Sequence, residues 1–248
     1  MNMRYAIVGA ICLAVAACGS EPADTDATEL ETPETDAQAE IVARSLETGD
    51  FLSLDLGAKI VGPQGPEVKG ALSNAQGNFA DIRSYVACPA GMDPCDPETA
   101  PDGTVYTYVH VVYPGEDDDP STGSGTGNDS SDIERATQFR MTRPAHGFNG
   151  MAGYSQAEAV SAIGAKAEVS LTCEDGGLVW AVSAGGGGNQ WEQGEPLTFY
   201  WQSTLPPAGP AEAYEIEVDG TRAAGSGPYP GAGNGAANAC NADRVSGE

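Results

Sequence analysis

Positive charge is scarce in this chain: 11 Lys plus Arg stand against 36 Asp plus Glu in 248 residues, with two His. A nucleic-acid-binding surface needs a basic face to displace counterions from phosphates, so nucleic acid is excluded as a partner. Anionic headgroups would repel the same surface. His110 and His146 are the whole histidine complement, which leaves few general bases. There is no Gly-x-Ser-x-Gly elbow, no His-Glu-x-x-His and no P-loop. Paired carboxylates can hydrolyse glycosides, but among 36 acids any pair can be nominated, so pairing alone carries no weight. No Cys-x-x-Cys pair offers a zinc site.

Long apolar runs are also missing. The longest opens at Tyr5, directly after Arg4, and runs through Ala14 to Ala16 and Ala17. A bilayer-spanning helix needs about 20 apolar residues, so residues 1–17 read as an export signal with a charged n-region and a short h-region. Val15-Ala16-Ala17-Cys18 resembles the lipobox of bacterial lipoproteins. That resemblance covers the signal only. It implies cleavage before Cys18, a diacylglycerol on the Cys18 sulfur and often an acylated amine. Two or three acyl chains give the stable anchoring that one chain, at about 0.8 kcal/mol per buried methylene, does not. Gly19 in place of Asp favours the outer membrane, by resemblance to enterobacterial sorting. The expected partner is therefore a membrane, reached through lipid on Cys18.

Cysteine use agrees with export. Cys12 falls inside the apolar run and reads as a small apolar residue. Four cysteines remain beyond the lipidated one: Cys88, Cys95, Cys173 and Cys240. An even number in an exported chain reads as two disulfides, with three connectivities open. Pro89, Gly91 and Pro94 make the segment after Cys88 turn-rich and favour Cys88–Cys95. Cys173–Cys240 then follows and would pin the Gly/Ala-rich tail, 225–248.

Residues 18–50 read as a lipidated acidic linker. Between 19 and 34, Glu21, Asp24, Asp26, Glu29, Glu31 and Glu34 are interleaved with Thr, Pro and Ala. Such a segment buries too little to offset its ordering entropy and reads as a disordered tether, extended by self-repulsion. Thr35-Asp-Ala-Gln38 forms a capping-box pattern and predicts a short helix ended by Gly49.

From 51 to 224 the dominant signal is period-two alternation. Ala165, Ala167, Val169, Leu171 and Cys173 share one face, and Lys166, Glu168, Ser170 and Thr172 the other. Glu174-Asp-Gly-Gly177 supplies turn residues, and Leu178, Trp180 and Val182 alternate beyond, which predicts a hairpin. Leu197, Phe199 and Trp201 repeat the pattern, as do Tyr214, Ile216 and Val218, Phe139 and Met141, and Leu52, Leu54 and Leu56. With residues 68–72, 79–87 and 104–113 the reading reaches about nine strands. Ser155-Gln-Ala-Glu158 is a second capping box, predicting one short helix near 155–163 with Ala157, Val160 and Ile163 on its apolar side. The expected class is all-β: an antiparallel β-sandwich. A single elaborated domain is preferred, with two modules divided near 115–134 as the alternative.

Candidate sites are few. Tyr106, Tyr108 and His110 share one strand face and would offer an aromatic row to a glycan or protein if exposed. Trp191, beside Gly185-Gly-Gly-Gly188, is the tryptophan best placed for exposure, and Tyr200 points away from the apolar face of its strand. His146 falls in a turn-rich segment and reads as a solvated loop residue. Asp117, Asp119, Asp129 and Asp132 could supply oxygen ligands to calcium, although neither EF-hand nor glycine-rich nonapeptide spacing is present, and a solvated loop is the simpler reading. No other cofactor is implied and no catalytic residue is nominated. The expected protein is lipid-anchored in the bacterial cell envelope and acts by binding an envelope glycan or protein. The rival readings are an envelope hydrolase and a structural spacer.

Overall fold

The computed structural model describes residues 44–62, 67–115, 133, 135–186, 188–192, 194–233 and 236–241. Cys18, the acidic tether, the first part of the helix expected after Thr35, and the calcium candidates Asp117, Asp119, Asp129 and Asp132 lie outside the described residues.

Strands dominate, and thirteen of them join one sheet. In chain order they are β1 (Arg44–Leu46), β2 (Gly49–Asp50), β3 (Leu56–Lys59), β4 (Val68–Asn74), β5 (Gly77–Pro89), β6 (Tyr106–Pro114) and β7 (Ala136–Met141). Then come β8 (Phe148–Tyr154), β9 (Glu168–Glu174), β10 (Gly177–Ser183), β11 (Leu197–Ser203), β12 (Pro207–Val218) and β13 (Thr221–Pro230). Their order in the sheet is β1-β9-β10-β7-β12-β13-β4-β5-β6-β11-β8-β2, with β3 pairing β5 off this path. Every pairing is antiparallel except β2 with β8. The all-β class stands. The antiparallel nine-strand sandwich gives way to one larger mixed sheet curled upon itself.

The curl follows from the chain's own connections. β1 pairs β9 at one end of the strand order and β2 pairs β8 at the other. Only Glu47 and Thr48 separate them, so the two ends lie within about 10 Å, roughly two strand spacings. Side chains from opposite halves accordingly meet inside. Phe139 of β7 stacks on Phe199 of β11 with ring centroids 5.0 Å apart. His110 of β6 lies 4.1 Å from Tyr214 of β12. The Trp180 indole of β10 donates to the Gly153 carbonyl of β8 at 3.0 Å. Curling leaves a sheet few open edges to recruit other chains.

Close backbone approach makes this closure possible. A Cβ on Gly153 would fall 2.0 Å from the Gly49 carbonyl oxygen, and one on Gly49 would fall 2.0 Å from the Tyr200 hydroxyl. The parallel β2–β8 pair therefore needs glycine on both strands.

Several expectations are corrected here. Residues 44–50 are extended and belong to the sheet, so the helix predicted to end at Gly49 is absent where the chain is described; pairing with β9 and β8 outweighs the local capping pattern. Leu52 and Leu54 are not strand residues. Phe51–Ser53 is a 3-10 turn capped by the Asp50 side chain, and Leu52 is 67% exposed. The sheet also extends to Pro230, six residues into the segment read as tail. There Pro207 lies opposite Pro230 and Pro210 opposite Pro228, with register shifts nearby. Prolines that cannot donate to the ladder are tolerated at such irregular pairings. Finally, β6, which precedes 115–134, pairs with β11, which follows it, so the sheet is not divided there.

The predicted 168–183 hairpin forms, with Val169, Leu171, Cys173, Leu178 and Trp180 buried. α1 (Gln156–Ala162) has Ser155 as its N-cap. Its buried side is Ala159 and Ala162 with Ile163, while Val160 is 52% exposed. Glu158 does not close the capping box. Its carboxylate accepts from the Thr198 N–H at 2.6 Å and the Thr198 hydroxyl at 3.1 Å, while the Ser155 N–H donates to the Thr198 carbonyl at 2.8 Å. The helix is thereby fastened to β11. No helix among the described residues is long and apolar enough to cross a membrane.

The cysteines are joined as Cys88–Cys95 and Cys173–Cys240. The second bond ties the segment after β13 to β9, and the Arg44 guanidinium donates to the Ala239 carbonyl at 2.9 Å.

Candidate binding cleft

The curl decides the fate of the aromatic row. Tyr106, Tyr108 and His110 point into the interior and are 3%, 0% and 0% exposed, because β6 is flanked by β5 and β11 and its inner face meets β7 and β12. Tyr108 stacks on Trp201 at 4.5 Å and donates to the Leu205 carbonyl at 2.9 Å. Burial pushes its phenol well above the ordinary range. His110 is bonded through Nδ1 to the Ser84 hydroxyl at 2.9 Å, and burial lowers its pKa to about 3. These three side chains form core, not a binding face.

Trp191 is also buried, and its indole donates to the Glu195 carbonyl at 2.7 Å. Tyr200 is buried on the outer face of β11 beneath the residues that follow β2, with the Phe51 ring 6.1 Å away. Neither offers a platform.

The structure assembles a cleft elsewhere, from residues the alternation did not single out. Its floor is the connection from β7 to β8. Thr142 donates its N–H to the Ala213 carbonyl at 2.9 Å, and Ala145 to the Gly176 carbonyl at 2.7 Å. The His146 carbonyl accepts from the Ser203 hydroxyl at 2.8 Å, and the Gly147 carbonyl accepts from the Thr204 N–H at 2.9 Å. Gly147 has a φ of 70°, a left-handed turn that favours glycine. A loop held at so many backbone points starts its side chains from a fixed main chain.

Those side chains are Arg143 and His146. Tyr229, near the end of β13, closes the cleft behind them and donates its hydroxyl to the Pro144 carbonyl. The Arg143 guanidinium carbon lies 5.7 Å from the centroid of the Tyr229 ring. The His146 ring meets Tyr229 edge-on at 5.8 Å. Desolvation raises the Tyr229 phenol, and the Arg143 charge partly opposes the rise. Proline and alanine from β12 and the end of β13, including Pro210 and Pro230, form apolar walls around a volume of about 360 Å³. Among the described residues no carboxylate pairs with Arg143, whereas Arg140 and Arg222 both engage Glu215. In a chain so rich in acid, a guanidinium left facing a cleft is informative.

A larger hollow of about 580 Å³ lies between the Cys88–Cys95 loop and Pro206–Pro207. Prolines line it with Asp96 and Glu98, and the described residues around it include no Arg, His or Tyr to orient a ligand. No cluster of three His, Cys, Asp or Glu suited to a metal ion occurs among the described residues.

His146 was legible in the sequence as a loop residue, but Arg143 and Tyr229 were not. The Arg-Pro-Ala-His-Gly run and the Pro-Tyr-Pro triplet were the available signals. No family model matches the chain, and no curated protein or solved structure matches it either.

Proposed function

We propose that this chain is a lipid-anchored bacterial envelope protein, held by acyl groups on Cys18 and acting by binding through the Arg143–His146–Tyr229 cleft. The Val15-Ala16-Ala17-Cys18 motif supports the anchor, and two disulfides suit an oxidising compartment. The observation that carries the binding half is the cleft itself: a loop pinned by backbone hydrogen bonds, presenting one guanidinium beside two rings between apolar walls. Its volume lies at the lower end of small-ligand sites, which run from about 300 to 1,000 Å³. The lining residues suit grip and orientation, and none is paired as nucleophile and base.

Two measurements test the proposal. Metabolic labelling with a palmitate analogue should mark the wild type and not Cys18→Ala, which should leave the membrane fraction. Equal labelling of both would refute the anchor. Immobilised full chain should retain envelope glycan, and Arg143→Ala should release it; undiminished retention by the variant would remove the cleft from the account.

A further inference from the structure

We infer that the cleft is a carboxylate site and that its ligand is an acidic sugar, a uronate. This rests on the cleft being the binding surface. Arg143 supplies the selectivity. A guanidinium fork matches a carboxylate in two parallel hydrogen bonds, about twice as strong as neutral ones, and no side-chain carboxylate among the described residues occupies it.

The charge balance points to a monoanion. The cleft offers one permanent positive charge in a body where acids outnumber bases more than threefold. A doubly charged phosphate would set both charges at the one guanidinium, whereas each uronate brings a single charge there and a linked chain carries its others outward into screening solvent. The walls point to a ring: Pro144 and Pro210, both exposed beside Arg143, present C–H surface against which one face of a pyranose packs, and the available volume holds one sugar with its neighbours projecting outward. His146, at the rim of the same loop, is placed to meet hydroxyl groups. The Tyr229 hydroxyl is already committed to the Pro144 carbonyl, so Tyr229 serves as the wall that holds Arg143 in place. Two sources share this chemistry, a free sugar acid and a residue within an acidic polysaccharide, and the probes below separate them.

Isothermal titration of the full lipidated chain in nonionic detergent makes the test, with glucuronate, trigalacturonate, glucose, maltotriose and benzoate as probes. At about 0.15 M salt the Debye length is about 8 Å, so net repulsion from the body is screened while a contact at hydrogen-bond distance is not. Both uronates should bind and the neutral sugars should not. Tighter binding of the trisaccharide identifies polymer as the source; equal binding identifies the free acid. Arg143→Gln should weaken uronate binding about tenfold or more, and Arg143→Lys by less. Melting of both variants should shift little, because Arg143 is exposed, makes no ion pair among the described residues, and loses only an exposed contact with the Tyr229 ring.

Equal affinity for glucose, unchanged affinity in Arg143→Gln, or no heat from either uronate at millimolar concentration would each overturn the assignment. Benzoate binding as tightly as glucuronate would overturn the sugar. Loss of uronate binding alongside continued Arg143-dependent glycan retention removes this ligand alone; loss of both removes the binding reading as well.

Discussion

Acid should find this fold through His110. The imidazole is fully buried, its neighbours are Ser84, Phe139 and Tyr214, and among the described residues no carboxylate is in contact to stabilise a proton. Desolvation lowers its pKa from 6.5 to about 3. In the unfolded chain the ring protonates near its ordinary value, so below that value the unfolded state binds a proton that the folded state refuses. Stability is therefore intact above about pH 6.5 and falls with acid at about 1.4 kcal/mol per pH unit until the folded ring itself protonates. The loss should reach about 3 kcal/mol at about pH 4, out of a total of roughly 5–15 kcal/mol for a typical domain.

The many acids complicate a bare pH titration, since their protonation relieves repulsion over the same range. The difference between wild type and His110→Gln removes that background, because both share every acid. The glutamine amide can also keep a bond to Ser84. Urea unfolding at several pH values should show the wild type losing its advantage, or deepening its deficit, by about 3 kcal/mol between about pH 7.5 and pH 4. Parallel pH profiles would refute the reasoning and mean either that water reaches the ring or that the unfolded chain does not titrate it normally.

The remaining expectations concern the closure and the core. Gly153→Ala would drive a methyl group into the Gly49 carbonyl and should cost about 1–3 kcal/mol in urea unfolding; a neutral result would mean that the β2–β8 pair is not formed. Cys240→Ser opens a loop of 67 residues and should cost about 4 kcal/mol on the chain-entropy account, checked by the same titration under non-reducing conditions. Tyr108→Ala removes a fully buried ring and its bond to the Leu205 carbonyl, so it should lower stability by about 3–5 kcal/mol, read as the shift in denaturant midpoint. A melting point unchanged by that substitution would restore the exposed-row reading.

Local pattern made much of this architecture readable. Where one strand face met the core and the other met solvent, as in β9 and the Tyr214–Val218 part of β12, period-two alternation identified strand and buried side together. It failed where both faces are covered. β11 buries Thr198 and Tyr200 as well as Leu197, Phe199 and Trp201, so its alternation marked the strand but did not show that Tyr200, on the opposite face, is covered too. It failed again where glycine and proline interrupt the ladder. Residues 225–230 look like tail because Gly225, Gly227, Pro228 and Pro230 have poor strand propensity, yet β12 supplies a partner along their whole length. Partner strands arise from topology, and topology is not written in a window of seven residues.

The same distinction separates the aromatic row from the cleft. Tyr106, Tyr108 and His110 share a face by geometry that any strand obeys, so their alignment was sound while their exposure depended on a curl that brings β7 and β12 against the inner face of β6. Arg143, His146 and Tyr229 are brought together by the opposite route. Arg143 and Tyr229 are 86 positions apart in sequence, and each sits in a proline-flanked segment with no period to read. What unites them is the Tyr229 hydroxyl on the Pro144 carbonyl and the guanidinium over the phenol ring, contacts that exist only once β13 has returned beside β12 and the β7–β8 loop has been tied to Gly176, Ser203 and Ala213. Loops positioned by a rigid sheet are where binding residues concentrate, and the curled sheet supplies that rigidity here by spending its aromatic side chains on the interior.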